Sequence, residues 1–134
     1  MNIHIKMSLL KVFNNHLVEF LEDFQNVIES KDIKAAVLFI NATKKINPSI
    51  FIKGWINYIY IPYKHKIDEG DFTFFLNKDY SSDIDADDDN KVLEIINTMR
   101  GELKKINIDN RKKVIKYVQN LTKIGEMYKE RKNI

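Results

Sequence analysis

Apolar positions recur at three- and four-residue spacing along the first third of the chain. Leu10, Phe13, Leu17, Leu21, Phe24 and Ile28 form one stripe, widened by Phe20 and Val27, while Lys11, Glu19, Glu22, Asp23 and Gln25 fall elsewhere on the wheel. This period predicts an amphipathic helix of about 20 residues, with Ser8 placed to cap it. Ile33, Ala36, Val37, Phe39 and Ile40 predict a second helix, capped by Asp32 and ending near Lys45, where cations suit the helix dipole. Asn47-Pro48 marks the next boundary: asparagine fits a cap, and proline fits a first helical turn.

Ser49 to Glu69 admits two readings. Ile52, Trp55, Ile56, Ile59 and Tyr63 fit a helix, whereas the aromatic and β-branched run from Trp55 to Ile61 also suits a strand. No second strand-like segment with a hairpin signal offers a partner, so the expectation is a helix kinked around Pro62. Glu69-Gly70-Asp71 reads as a helix stop, and Phe72, Phe74, Phe75 and Leu76 as a short apolar element. Asp79 to Asn90 reads as an acidic loop. Val92, Leu93, Ile95, Ile96, Met99 and Leu103 give a further helix, ending near Ile106. Asp109 caps a last one carrying Val114, Ile115, Val118, Leu121, Thr122, Gly125 and Tyr128. The expected fold is all-α: one domain over residues 1–134, a compact bundle of five to six helices with short connections.

Composition narrows the function classes. A length of 134 residues, 44% hydrophobic and 31% charged, suits one globular domain. The absence of cysteine excludes thiolate catalysis, disulfides and cysteine metal sites. Ala35 to Ile40 is the longest aliphatic or aromatic run, far below the ~20 residues of a membrane span. No stretch near Met1 has signal-peptide form, so neither secretion nor a membrane partner is expected. Gly54, Gly70, Gly101 and Gly125 are isolated, and His4, His16 and His65 are far apart, so no phosphate loop or paired-histidine site is expected. No cofactor and no enzymatic activity are expected.

Net charge is +3, but it is laid out in blocks: −2 over residues 1–30, +6 over 31–67, −8 over 68–94, +2 over 95–106 and +5 over 107–134. Lysines outnumber arginines 19 to 3, and 20 isoleucines and 14 asparagines accompany them, a bias that AT-rich codons produce. Most of the lysines are therefore read as solvated surface.

Four patterns carry candidate chemistry. Trp55, Tyr58, Tyr60, Tyr63, Phe72, Phe74, Phe75 and Tyr80 include more than half of the 15 aromatics. One helix and a short element cannot turn all of them inward, so Tyr58, Tyr60, Tyr63, Phe72, Phe75 and Tyr80 are candidates for a protein-binding surface beside the acidic segment. Lys112, Lys116 and Lys123 share one face of the last helix and could meet phosphates. Asp83, Asp85, Asp87, Asp89 and Glu94 match the acid spacing of a calcium-binding EF-hand loop, but Asp88 stands where that loop needs glycine and Asn90 where it has an apolar residue. His16, Glu19 and Asp23 lie along one side of the first helix, and a solvated polar face is the expected reading.

The stretch Trp55 to Ile84, WINYIYIPYKHKIDEGDFTFFLNKDYSSDI, resembles a family of small helical proteins from large cytoplasmic DNA viruses of the mimivirus kind. IPYK at Ile61 to Lys64 and GDFTFFLNKDY at Gly70 to Tyr80 are its most specific parts; Leu9 to Phe24 and Ile115 to Ile124 are similar too. The resemblance implies a viral origin and a place in a host cytoplasm or virion. It implies no activity and no catalytic residues. The leading expectation is a non-enzymatic interaction or assembly protein using an aromatic-acidic surface over Tyr58 to Asp89. The partner is another protein or a second copy of the chain. Nucleic-acid association through the last helix and calcium binding at Asp83 to Glu94 are the alternatives.

Overall fold

The structure, a computed structural model, describes residues 2–71, 90–106 and 108–132. They form an all-α bundle of five helices, one of them kinked, and the described residues contain no strand. The elements are α1 (Asn2–Val27), α2 (Lys31–Thr43), α3 (Ile50–Trp55) running through a π-helical turn (Ile56–Tyr60) into α4 (Ile61–Asp68), then α5 (Asn90–Leu103) and α6 (Ile108–Lys132). The short apolar element expected at Phe72 to Leu76 and the acidic loop at Asp79 to Asn90 lie outside the described residues, apart from Asn90.

α1 begins well before Ser8, which therefore sits inside the helix and does not cap it. No glycine or proline interrupts residues 2–8, so the helix has no local reason to start later. The cap of α2 also falls earlier than expected. Ser30 is extended (φ −139°, ψ 125°) and its Oγ accepts the Ile33 N–H at 3.2 Å, so Asp32 stands in the first turn, where its charge suits the dipole. Pro48 precedes α3, whose N-cap position is Ser49. Asp109 lies in the first turn of α6 and does not cap it.

The kink has two causes. Pro62 enters as one of the first residues of α4, where its missing N–H is not needed. Immediately before it the backbone widens: the Ile61 N–H bonds back to the Ile56 carbonyl across a π turn. A straight α-helix would press the proline ring against the carbonyl four residues earlier, and a widened turn followed by a break relieves this. The break falls at Tyr63 (φ −129°, ψ 16°). α4 stops at Gly70, whose φ of +74° favours glycine. The Gly70 N–H bonds the Ile67 carbonyl at 3.0 Å and the Asp71 N–H bonds the Lys66 carbonyl at 2.8 Å, the Schellman pattern that satisfies the last carbonyls.

One core joins all five helices. Phe13, Leu21, Ile33, Ile40, Ile52, Ile59, Leu93, Met99, Val118 and Leu121 are almost wholly buried in it. α1 packs along α6, α2 lies against α1 and α5, and the kinked helix lies against α5 and α6. Trp55 sits at the centre. Its ring meets Phe13 edge-on at 6.2 Å, and its Nε1 donates to Thr122 Oγ1 at 2.9 Å. The Thr122 hydroxyl donates in turn to the Val118 carbonyl at 2.7 Å, so both buried polar side chains are satisfied. Gly54 lets the kinked helix approach α5 closely: a Cβ there would lie 2.4 Å from Val92 Cγ1. No helix among the described residues is long and apolar enough to cross a membrane.

Candidate functional site

The surface around the kink carries the described part of the aromatic stretch. Tyr58 and Tyr63 are half-buried, packed against the core edge, while Ile61 is 56% exposed and Pro62 is exposed beside it. Tyr60 lies elsewhere. It is buried, with Lys64 Nζ 5.6 Å and Lys129 Nζ 5.7 Å from its ring centroid. Two ammonium groups near one aromatic ring give cation–π attraction, so Tyr60 helps fasten α4 to α6. Lys64 also donates to Glu126 Oε1 at 3.3 Å. That hydrogen bond, and then the charge environment of Tyr60, raise the Lys64 ammonium above the usual lysine range. Phe72, Phe75 and Tyr80 lie outside the described residues. The acidic flank begins at Asp68 and Glu69, both exposed, and at Asp71, half-buried; its acidic residues from Asp79 to Asp89 lie outside the described residues.

The other candidates are placed as follows. Lys112, Lys116 and Lys123 are all exposed on α6. Their spacing sets them about 6 Å and about 10 Å apart along the helix axis. Glu94 is exposed on α5, which already begins at Asn90, so the last part of the EF-hand-like spacing is helical. Asp83, Asp85, Asp87 and Asp89 lie outside the described residues. Among the described residues no cluster of three or more His, Asp or Glu could hold a metal ion.

Two features were invisible in the sequence pattern. The first covers the His16, Glu19 and Asp23 face of α1. Tyr117 of α6 lies across it, 4.9 Å from Phe20 in a stacked arrangement and 5.0 Å from the His16 ring. Its hydroxyl donates to the Asp23 carboxylate and reaches Glu19 Oε1 at 3.5 Å, while His16 Nδ1 lies 3.9 Å from Glu19 Oε2. Burial, then the hydrogen bond to Asp23, push the Tyr117 phenol well above the ordinary tyrosine range. Beside it opens a cleft of about 270 Å³ floored by Phe20, Phe24, Ile106 and Val114 and edged by Asp23 and Lys113. The polar face expected to be solvated is thus partly covered by an aromatic ring.

The second feature is a groove of about 570 Å³ between the N-terminal half of α1 and the turn after α2. Asn14 fixes its base: this residue is only 4% exposed, and its Nδ2 donates to the Pro48 carbonyl at 2.9 Å. Lys44, Lys45 and Pro48 of its second wall stand close together in the sequence, but nothing in the pattern says that α1 lies alongside them.

Compared with known proteins, the chain matches no family model, no curated protein and no solved structure.

Proposed function

We propose that the protein is a non-enzymatic interaction or assembly protein that binds another protein through the surface around its kinked helix. The observation that carries this reading is the exposure of Ile61 and Pro62 on a helix turn flanked by half-buried Tyr58 and Tyr63. Apolar and aromatic groups at a shaped, rigid position are the usual anchors of protein interfaces. A π turn next to a proline is also a common mark of a functional position, because it departs from the regular helix. Lys53, His65 and Lys66 are exposed on the kinked helix, and so are Asp68 and Glu69 at its end, so the apolar anchor has a rim of mixed charge that suits a partner carrying both signs. The sequence resemblance to proteins of large cytoplasmic DNA viruses supports a setting in a host cytoplasm or virion.

Photo-crosslinking tests this. A benzophenone side chain at position 61 should give a discrete protein adduct in cells, and the same group at Glu22, exposed on α1, should not. The adduct should disappear in competition with unlabelled protein and persist in competition with the Ile61→Glu variant. Equal labelling from both positions, or none from position 61, would refute the reading.

A second reading rests on the open face of α6. Lys112, Lys116 and Lys123 are exposed together, at a spacing that could follow a phosphate backbone. Binding to DNA or RNA that weakens steeply with salt, and that Lys112→Gln with Lys116→Gln reduces, is its signature.

A further inference from the structure

The groove between α1 and the turn after α2 combines an apolar lining with charge of one sign. Met7, Leu10 and Pro48 line it, and Met7 is 62% exposed although apolar. Lys11, Lys44 and Lys45 stand around it with His4, and its described lining residues include no carboxylate. The lysine stems extend the apolar wall while their ammonium groups stay at the rim. Ile46, next to the rim lysines, is 87% exposed. None of these residues belongs to the kink surface.

We propose that this groove binds a monomeric single-chain anionic amphiphile, a molecule with one alkyl chain and one carboxylate or phosphate head. Charge selects the head. Three ammonium groups, with no carboxylate among the described lining residues, attract an anion and disfavour a cation. The lining selects the tail, because Met7, Leu10 and Pro48 lose contact with water only when covered by an apolar group. Nucleic acid would satisfy the lysines and leave that lining wet. Shape selects a single molecule over a bilayer. The groove is concave, and its volume lies within the ~300–1,000 Å³ typical of small-molecule sites. The Asn14 to Pro48 hydrogen bond holds the two walls in register, so the site is formed before the ligand arrives.

Titration calorimetry on the full chain tests the proposal, with circular dichroism confirming that the helices persist. Dodecanoate and dodecyl phosphate, below the concentrations at which they form micelles, should bind saturably at one site. Acetate and inorganic phosphate should bind at least about tenfold more weakly, since they carry the head without the tail. Dodecyltrimethylammonium, the same tail with a cationic head, should not compete. Lys44→Gln with Lys45→Gln should weaken dodecanoate binding about tenfold or more, through loss of charge-assisted contacts. Met7→Ser should weaken it while leaving the salt dependence unchanged. Met7 and Lys45 are exposed and Lys44 is half-buried, and unaltered thermal unfolding of each variant shows that the fold is retained. Equal affinity for the cationic amphiphile, binding only to vesicles containing anionic phospholipid, or dodecanoate binding unaffected in both variants would each overturn the proposal. Because no kink residue is involved, the Ile61→Glu variant should bind dodecanoate as the natural sequence does, so failure here and failure of the interaction reading are separable.

Discussion

The hydroxyl of Tyr117 donates to the carboxylate of Asp23 across the α1–α6 seam, between residues 94 positions apart in the chain. The phenol is useful there only while it keeps its proton, since a phenolate beside Asp23 and Glu19 would add a third negative charge. Its folded pKa is raised above the unfolded value of about 10. The stability it contributes is therefore fully present below about pH 10 and is lost as pH rises above that value toward the folded pKa. A titration of phenolate absorbance should show an alkaline component above the usual tyrosine range, and Tyr117→Phe should lack it. The same variant should lose about 0.5–1.5 kcal/mol at neutral pH, measured by urea unfolding, and show a shallower loss of stability in alkali.

Gly54→Ala should destabilise the bundle by about 1–3 kcal/mol, because the new methyl would meet Val92 Cγ1 at 2.4 Å. Helix propensity alone argues the opposite sign, an improvement of about 1 kcal/mol. Combining the change with Val92→Ala should recover much of the loss. A double-mutant cycle by denaturant unfolding measures this coupling, and simple additivity would count against close packing of α3 on α5.

Thr122→Val keeps the shape of the side chain but removes the acceptor for the Trp55 indole N–H. Trp55 is 2% exposed, so its donor would be left without a partner in the core. The expected cost is about 1–3 kcal/mol in thermal or urea unfolding. Thr122→Ser, which keeps the hydroxyl, should retain the hydrogen bond and lose only the packing of one methyl.

Ser30→Ala should cost about 1 kcal/mol by removing the acceptor for the Ile33 N–H, whereas Asp32→Ala should cost only a few tenths. Comparing the two by thermal unfolding distinguishes the residue that caps α2 from the one that merely sits near its dipole.

The stripes were readable because each helix must bury one face, and residues such as Leu10 to Ile28 or Val92 to Leu103 repeat at a helical period for that reason. Caps were less readable. Ser8, Ser30 and Asp32 all have capping side chains, and which one is used depends on backbone angles that composition does not set. Pro62 announced a kink, but the π turn before it did not show, since a widened turn is a backbone adjustment with no residue type of its own. Tyr58 and Tyr63 lie at the core edge and Tyr60 within it, a division set by which side of the kinked helix packs against α6. The partners of Asp23 and the two walls of the α1–α2 groove come from segments remote in sequence. Periodicity describes one helix at a time and is silent on which helices become neighbours.

Trp55 is the one tryptophan in the sequence, and it touches a first-helix phenylalanine and a last-helix threonine at once. Its emission is therefore a built-in gauge of assembly, free of any label. A loosened state that kept its helical circular dichroism but let water reach the indole would shift that emission to the red, revealing separation of the chain's two ends before any helix had melted.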